Sequence, residues 1–228
     1  MLKDITALVQ ARTSSKRLPG KVLKNIGKKT ILEMVLSNIS NSKYIREIIV
    51  LTSFSKSDDK IINLCKKKKF KFIRGPLNNV SLRYLIACKK IKTNYFMRVS
   101  ADSPFILTSL VDKLSLKVKE KSPDMATNIL IKSFPKGQSI EILNKNIFMK
   151  YYYKFKTKRD FEHVTPYFYR NRKKFKIFSF RNKTNYKNIN LSVDNFIDYK
   201  RSQYINKKLT KNISLKKLIK LYYEFKKI

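Results

Sequence analysis

Cysteine, histidine and tryptophan are scarce in this chain of 228 residues, which contains 2 Cys, 1 His and no Trp. Two cysteines and one histidine are too few for a disulfide framework or for a zinc site built from thiolate and imidazole ligands. Any bound metal ion is therefore expected to have oxygen ligands. Acidic residues are also few, since 15 Asp and Glu stand against 53 Lys and Arg and leave a formal net charge of +38.

Long apolar runs are missing as well. No uninterrupted apolar segment approaches the ~20 residues that a membrane helix needs, and the opening sequence MLKDITALVQ has too short an apolar stretch for a signal peptide. We therefore expect a folded, soluble protein of the cytoplasm with no membrane partner. Its hydrophobic content of 43% is enough for one well-filled core.

The excess of positive charge has two explanations. A strongly basic chain commonly binds nucleic acid. However, the abundant residues Lys, Asn, Ile, Phe and Tyr all have A/T-rich codons, so the base composition of the coding DNA also accounts for the lysines. Lysines spread over all the predicted helices favour this second explanation, because a nucleic-acid binder concentrates them on one face among aromatic residues. We expect no specific nucleic-acid partner, and a basic nucleic-acid-binding protein remains the alternative.

Short apolar strands alternate with amphipathic helices over the first half of the chain. The sequence predicts strands in TALVQ, REIIVLTS, FKFIRG and NYFMRVSAD. It predicts helices that begin at Thr30, at Asp58 or Asp59, and at Asn79. This alternation is typical of an α/β fold with a parallel or mostly parallel sheet covered by helices on both faces.

The pattern changes from about Met125 onward. Shorter strands are predicted in MATNIL, SIEIL and KIFSF, with the aromatic stretch YYYKF between them. NINLSVD is predicted to form one more strand, and two helices follow in DYKRSQYINKKL and SLKKLIKLYYEFKK. Because no Gly/Ser/Pro-rich linker is present, we expect a single domain over residues 1–228 with an inserted arm or subdomain at about 125–182.

Four cations lie in the loop ARTSSKRLPGK, which follows the first predicted strand: Arg12, Lys16, Arg17 and Lys21. Ligands of open α/β sheets bind at the carboxyl ends of the strands. Cations there, together with backbone amides freed by the turn, predict a polyanion site, and a triphosphate is the simplest ligand that needs so much charge. The absence of GxxxxGK[ST] and of GxGxxG excludes a Walker loop and a dinucleotide fingerprint. A basic surface turn is the alternative.

Two aspartates follow other predicted strands, Asp102 in RVSADSP and Asp194 in LSVDN, with Asp198 one helical turn after the latter. Two carboxylates that face a basic loop can hold Mg²⁺ on phosphate oxygens. The alternative for each is a cap or turn residue. His163 lies alone in an aromatic-rich segment, where a histidine is more often a packed, hydrogen-bonded residue than a catalyst.

The segment ALVQARTSSKRLPGKVL resembles the opening of the cytidylyltransferases that make CMP-activated sugars, most closely the spore-coat polysaccharide type, in the group that includes the CMP-Kdo and CMP-acylneuraminate synthetases. The likeness continues in order through TSFSKSDD, RGPLNNVSLRY, RVSADSPFI, GQSIEIL, EHVTPYFYRN and LSVDNFIDY, and so covers nearly the whole chain. The resemblance implies a Rossmann-like nucleotidyltransferase fold. It also implies magnesium-dependent transfer of CMP from CTP to a sugar or sugar-like acid, such as a nonulosonic acid, with release of pyrophosphate, for surface polysaccharide or glycan biosynthesis. A homodimer paired through the inserted segment, whose aromatic residues would suit an interface, is implied as well.

The resemblance also implies roles for individual residues. It gives catalytic roles around the triphosphate to Arg12, Arg17, Lys21 and Asp102, and it places the metal ion on Asp102 and Asp194. Thr52, Ser53 and Arg83 would approach the cytosine and the ribose, whereas Gln138, Glu141 and His163 would face the acceptor sugar. The full set expected to bind substrates is Ala11, Ser15, Gly20, Thr52, Ser53, Arg83, Gln138, Glu141 and His163.

Two stretches depart from the family's pattern. The loop PLNNVSL is usually acidic in the relatives, and Ser100-Ala101 stands where Thr-Gly is usual before the aspartate. Ala101 adds a methyl group where glycine allows close approach of the backbone. These changes bear on the acceptor and on efficiency more than on the nucleotide. A related transferase that uses another nucleotide or a phosphonate acceptor is therefore a further alternative.

Overall fold

The computed structural model of the chain describes residues 4–209 and 213–227. The strands in these ranges are β1 (Ile5–Gln10), β2 (Asn25–Ile26), β3 (Lys29–Thr30), β4 (Ile45–Ser53), β5 (Lys71–Gly75), β6 (Tyr95–Ser100), β7 (Met125–Thr127), β8 (Glu141–Asn144) and β9 (Ile177–Ser179). The α-helices are α1 (Ile31–Ser40), α2 (Asp59–Lys67), α3 (Val80–Cys88), α4 (Thr108–Lys121), α5 (Lys145–Tyr152), α6 (Lys158–His163), α7 (Pro166–Arg170), α8 (Phe196–Lys208) and α9 (Leu215–Phe225).

The main sheet has the strand order β5-β4-β1-β6-β8-β7-β9, and β2 and β3 form a separate hairpin. Strands β5, β4, β1 and β6 pair in parallel. Strand β8 is antiparallel to both of its neighbours, and β9 pairs in parallel with β7. The predicted α/β fold with a mostly parallel sheet is confirmed.

Helices cover both faces of this sheet because the strand side chains alternate between two apolar cores. Ala7 and Val9 point into the core that contains α1, α2, α4, α8 and α9. Leu8 points into the other core, which α3 and α5 to α7 complete. Among the helices of the described ranges the longest, α4, has 14 residues, and none of them has the length and apolar content required to cross a bilayer.

Side-chain caps fix the beginnings of two of the helices predicted in the first half of the chain. Thr30 forms a capping box with Glu33 at the start of α1, and the side chain of Asn79 accepts a hydrogen bond of 2.8 Å from the backbone N–H of Leu82 in α3. Helix α2 begins at Asp59, as expected, but the carboxylate of Asp58 does not cap it. That carboxylate has partners elsewhere, at the carboxyl end of the sheet.

The aromatic residues near the centre of the chain form part of the second core. Phe148 and Phe168 are fully buried, and Phe155 and Phe175 nearly so, whereas Tyr153 is 72% exposed. Strand β8 continues the main sheet from β6. These aromatic side chains therefore do not form an exposed apolar face. The homodimer and the division into one domain with an inserted arm stay predictions.

The prediction of a strand in NINLSVD is wrong. In the described part of the chain this segment has one isolated parallel bridge, between Asn190 and Lys136. The N–H of Leu191 donates to the carbonyl of Lys136 at 2.8 Å, and the N–H of Val193 donates to the carbonyl of Asp102 at 2.8 Å. The segment runs beside turns instead of a strand, so its hydrogen bonds do not continue into a ladder.

Candidate active site

A cleft of about 940 Å³ opens at the carboxyl ends of β1 and β6. Its walls are the loop at residues 11–21, the beginning of α3, and α6. Of the residues that the sequence predicts for the site, those that line this cleft are Ala11, Arg12, Ser15, Arg17, Lys21, Arg83, Asp102, His163 and Asp194. Gly20, Thr52, Ser53, Gln138 and Glu141 do not line it.

The basic loop is folded back on itself. The N–H groups of Ser15 and Gly20 both donate to the carbonyl of Thr13 at 2.8 Å. Gly20 has φ of +65°, a left-handed conformation that glycine adopts without steric cost. Gly20 thus shapes the loop from outside the cleft, and all four cations of the loop lie on the cleft wall.

Asp58 anchors this loop to the end of β4. Its fully buried carboxylate accepts hydrogen bonds from the N–H and the hydroxyl of Thr13 at 2.7 and 2.8 Å. It also accepts hydrogen bonds from the N–H and the hydroxyl of Ser53 at 3.2 and 2.5 Å. Burial alone would raise the pKa of Asp58, but these hydrogen bonds outweigh it and the pKa is lowered. Ser53 therefore supports the loop instead of lining the cleft. Sequence reasoning missed Asp58, although it lies in the quoted segment TSFSKSDD.

Lys21 joins the two predicted metal ligands. Its Nζ lies 2.8 Å from Oδ2 of Asp102, 3.1 Å from Oδ1 of Asp194 and 2.7 Å from the carbonyl oxygen of Val193. Arg17 also contacts Asp194, at 3.3 Å, and Lys136 forms an ion pair with the same carboxylate. Sequence reasoning missed Lys136, which comes from an irregular turn and carries no periodic signal.

The cations around Asp194 keep its carboxylate ionised. Burial by itself would raise the pKa of Asp194, but the contacts with Lys136 and Lys21 lower it to about 2. The three oxygens around Nζ of Lys21 show that this point of the cleft accepts a cation. Two carboxylates are also a donor set that suits Mg²⁺, which commonly takes one or two carboxylates and completes its shell with phosphate oxygens and water. In the described ranges no three Asp, Glu, His or Cys side chains form a cluster of metal ligands. The residues present therefore fit a magnesium ion shared with a phosphate ligand.

Arg83 is a buried cation without a carboxylate partner among the described residues. It is 1% exposed and lines the cleft. One terminal nitrogen donates weakly to the carbonyl of Leu51 at 3.5 Å, and Nε has no hydrogen-bond partner. Burial, together with the nearby Arg12, lowers its pKa, although Tyr84 and Asp58 oppose this effect. The buried hydroxyl of Thr52 is likewise unpartnered within the described residues. Such groups are costly unless a ligand satisfies them.

Arg98 also lines the cleft, and unlike Arg83 it has a carboxylate partner. A terminal nitrogen of Arg98 donates to Oε2 of Glu141 at 2.6 Å. The hydroxyl of Tyr169 donates to Oε1 of the same carboxylate at 2.7 Å. Glu141 was expected to face the acceptor, but it is 1% exposed and lies behind Arg98. Sequence reasoning missed Arg98, which the alternation of β6 would have placed on the same face as Ser100.

Gln138 is also a structural residue. Its Nε2 donates to the carbonyl of Phe105 at 2.6 Å, and its Oε1 accepts from the N–H of Leu107 at 3.1 Å. It is fully buried. Gln138 thus fixes the loop that follows Asp102 and does not line the cleft.

His163, by contrast, is exposed on the cleft wall, which Lys158 and Glu162 also line. It is not the packed residue that a lone histidine more often is.

The sequence model of the cytidylyltransferase family matches residues 6–228. Together with the fold and the cleft just described, this match shows that the chain belongs to the cytidylyltransferase family. The resemblance seen in the sequence is thereby confirmed.

Individual relatives agree with this assignment. The chain is 34% identical over 200 residues to an uncharacterized protein of Methanocaldococcus jannaschii, which covers 86% of this chain and 80% of that protein. It is 29% identical over 150 residues to the spore coat polysaccharide biosynthesis protein SpsF of Bacillus subtilis, which covers 64% of this chain and 61% of SpsF.

Two solved structures are similar to this one. A cytidylyltransferase from Leptospira borgpetersenii superposes with a TM-score of 0.91 at 29% identity and covers 98% of this chain and 95% of its own. The CMP:2-keto-3-deoxy-manno-octonic acid synthetase complexed with CTP superposes with a TM-score of 0.64 at 14% identity and covers 87% and 96%. The second likeness shows a shared fold.

Proposed function

We propose that this chain transfers a cytidylyl group from CTP to a hydroxyl group of a sugar or sugar-like acid and releases pyrophosphate. The observation that carries the proposal is the contact of Lys21 with both Asp102 and Asp194 in a cleft walled by the basic loop. Nucleotidyl transfer needs cations for a triphosphate and carboxylates for a metal ion within one site. Membership of the cytidylyltransferase family supports the same reaction.

The triphosphate would bind along the basic loop. Arg12, Lys16 and Arg17 line that side of the cleft, and the side chain of Arg17 is 67% exposed and pairs with Asp194 through a surface contact of 3.3 Å that it could exchange for a phosphate oxygen. The acceptor oxygen would attack the α-phosphorus in line, and the negative charge that grows on the departing pyrophosphate would be stabilised by Arg12, Arg17 and Lys21. Position and charge supply most of the catalysis in such reactions, so no covalent nucleophile is required.

Asp102 and Asp194 would hold the magnesium ion. When bound, this ion supplies neutralisation of phosphate charge and orientation of the reactants. Asp194 is prepared for this role by its low pKa of about 2, since it stays ionised at any pH where the protein would work. Lys21 would then exchange its carboxylate contacts for a phosphate oxygen.

Arg83 would face the nucleoside. It lines the cleft and carries a buried Nε without a partner in the described part of the chain, and a pyrimidine base or ribose offers the acceptor that it lacks. The relative with CTP in its structure supports cytidine as the nucleoside.

The acceptor is proposed from the relatives and not from the cleft. The name of SpsF supports a product for a surface polysaccharide, and that of the synthetase supports an acidic sugar.

The homodimer rests on the resemblance alone, and light scattering at working concentration tests it.

The experiment that tests the reaction has two parts. First, CTP, ATP and GTP are compared in thermal unfolding with magnesium present, and CTP should raise the melting temperature far more than the others, because a ligand of the native state stabilises it by mass action. Second, pyrophosphate release from CTP is measured with Kdo, N-acetylneuraminate and sugar phosphates as acceptors. Equal shifts with the three nucleotides, or no pyrophosphate release with any acceptor, would contradict the proposal.

A further inference from the structure

His163 is the one histidine in the sequence, and it stands on the wall of the cleft that also contains Lys21 and Asp102. Within the described residues its imidazole has no hydrogen-bond partner, whereas its backbone carbonyl accepts from the N–H and the hydroxyl of Thr165. Neither ring nitrogen is therefore committed to holding the fold together. A histidine with free nitrogens inside a reaction cleft is available for proton transfer.

The backbone immediately after His163 has an unusual conformation. Val164 has φ of +71° and ψ of −47°, and the N–H of Thr165 donates across it to the carbonyl of His163 at 2.8 Å. This is a γ-turn of the rare, strained kind, and a β-branched residue with positive φ is an outlier. Val164 is fully buried in the second core. The turn places Val164 in the core and His163 in the cleft, and strain of this kind is typical of functional sites.

The short helix that carries His163 is anchored on two sides. The hydroxyl of Ser81 in α3 donates to the carbonyl of Asp160 at 2.6 Å, and Arg170 in α7 donates to the carboxylate of Asp160 at 2.7 Å. These contacts fix α6 against both neighbouring helices. The backbone at His163 is thus fixed before any substrate arrives, which limits the part of the cleft that its imidazole can reach.

The surroundings of the imidazole favour its neutral form. Burial lowers the pKa of His163 below its ordinary value of 6.5, and Arg98 and Arg159 act in the same direction, whereas Glu162 and Glu141 oppose them. At neutral pH the ring therefore has an unprotonated nitrogen. The charged groups around it are Lys158, Arg159 and Glu162 on α6, Arg98 on β6 and Glu141 on β8.

We propose that His163 is the general base that accepts the proton of the acceptor hydroxyl group. As the hydroxyl oxygen forms its bond to the α-phosphorus of CTP, its O–H bond breaks and the proton moves to a ring nitrogen of His163. The bond from the α-phosphorus to the pyrophosphate oxygen breaks, and its electron pair leaves with pyrophosphate. Glu162 would stabilise the imidazolium, while Asp102 and Asp194 are engaged by cations and are poor proton acceptors. This inference rests on the proposed function.

The first test needs no acceptor and uses the single histidine signal of the full-length protein in NMR. A pH titration of the His163 ring, with and without CTP and magnesium, should give a pKa below about 6.5 and a change in chemical shift when CTP binds. A pKa at or above the ordinary histidine value, or a ring signal that ignores CTP while CTP raises the melting temperature, would overturn the assignment.

The second test measures turnover of variants with the acceptor that gives the fastest pyrophosphate release. His163→Gln should keep the melting temperature and the CTP-induced shift but lose at least about 10²-fold in kcat, the lower end of general-base contributions. The acid limb of the wild-type pH profile of kcat/KM should disappear in this variant. Free imidazole should restore part of the rate of His163→Ala, in proportion to its unprotonated fraction.

The control is Arg172→Gln, an exposed residue that follows α7, lies outside the cleft lining and is not among the charged groups around His163, and it should keep a rate near that of wild type. A His163→Gln variant with near-normal kcat and an unchanged acid limb would show that the histidine is not the base. If the wild-type enzyme is active in the same assay, that result would not contradict the proposed function. Failure of wild-type protein to release pyrophosphate with any acceptor would instead contradict the proposed function, and the NMR titration would still decide the protonation state and location of His163.

Discussion

The Nζ atom of Lys21 lies 2.8 Å from Oδ2 of Asp102, although the two residues are 81 positions apart in the chain. The same ammonium group contacts Asp194. The single positive charge of the lysine thus lies between two carboxylates and offsets part of their mutual repulsion. Lys21 also links the part of the cleft that would bind phosphate to the part that would bind metal. A substitution in one part should therefore change ligand binding in the other.

Asp102→Asn and Asp194→Asn should separate catalysis from nucleotide binding. Each variant keeps side-chain size but removes a charged oxygen ligand. We expect turnover to fall by at least about 10²-fold in each, the scale of losing one preorganised electrostatic group, whereas CTP should still raise the melting temperature. Pyrophosphate release is measured over a wide range of magnesium concentration.

The double variant and Lys21→Ala serve as comparisons for that series. The double variant should be little worse than the worse single one, because both carboxylates would serve one ion. Lys21→Ala should weaken CTP binding as well as turnover, since it removes a phosphate contact made before the reaction. Near-normal rates and unchanged magnesium dependence in both Asn variants would show that these aspartates only stabilise the loop.

The buried Arg83 and the partly buried Arg98 should respond in opposite ways to replacement by methionine. Arg98→Met leaves the carboxylate of Glu141 buried without its cation, which costs about 3–5 kcal/mol of folding free energy. Arg83→Met removes a buried charge that has no carboxylate partner, so the ligand-free protein should be as stable as wild type or more so. It should nevertheless lose most of the CTP-induced rise in melting temperature. Urea unfolding and thermal shift measure these effects, and similar losses of stability in both variants would contradict the contrast.

Gly137→Ala should damage both stability and turnover. Gly137 has φ of +90°, and a Cβ atom there would lie 2.8 Å from the backbone of Leu191 and of Ser192. The added methyl must displace the segment that leads to Asp194, so we expect destabilisation of more than about 2 kcal/mol and a loss of activity.

Gly20→Ala is the matched control, because Gly20 also has positive φ but a Cβ atom there would meet nothing within 4 Å. It should cost only about 1–2 kcal/mol, the price of the left-handed backbone. Equal destabilisation of the two variants in urea would show that the close approach at Gly137 is unimportant.

Asp160 should make stability depend on pH in acid. Burial raises the pKa of its carboxyl group, but hydrogen bonds from Arg170 and from Thr157 outweigh burial and lower it from 3.8 to about 2. Because the pKa is lowered in the folded state, the stabilisation is complete above the unfolded value and is lost as the pH falls toward the folded one. Asp160→Asn should be less stable than wild type by about 1–3 kcal/mol at neutral pH. That difference should shrink between about pH 4 and pH 2, as followed by urea unfolding, and a constant difference would contradict the interpretation.

The sequence could predict the parts of the site that follow from strand order. Arg17, Lys21 and Asp102 follow β1 and β6, and the carboxyl ends of parallel strands meet at one edge of a sheet. Asp194 lies in the same cleft as Asp102, although the strand predicted before it does not form. A hydrogen bond from the N–H of Val193 to the carbonyl of Asp102 holds the segment there. These residues meet because the chain topology leaves few other positions for them.

Buried polar residues were harder to predict. Glu141 and Gln138 are of the types that bind sugars, but one pairs with Arg98 and the other fixes the loop after Asp102. A sequence does not distinguish a polar residue that binds substrate from one that supports a neighbour, because burial depends on tertiary packing. The sequence also gives no indication of the positive φ of Val164, because a β-branched residue does not favour that conformation.

Strand β1 is hydrogen-bonded on both edges, by β4 on one side and by β6 on the other. It precedes both partners in the chain, so a growing polypeptide leaves the backbone N–H and C=O groups on one edge of β1 unpaired until Tyr95 and its neighbours have been synthesised. Unpaired edges of this kind template aggregation. A nascent chain or a fragment that ends before β6 should therefore need a chaperone to stay dispersed. A fragment that ends after α4 would have the four parallel strands at the sheet centre and the basic loop but not Asp194, so the residue that completes the proposed metal site is synthesised after those strands.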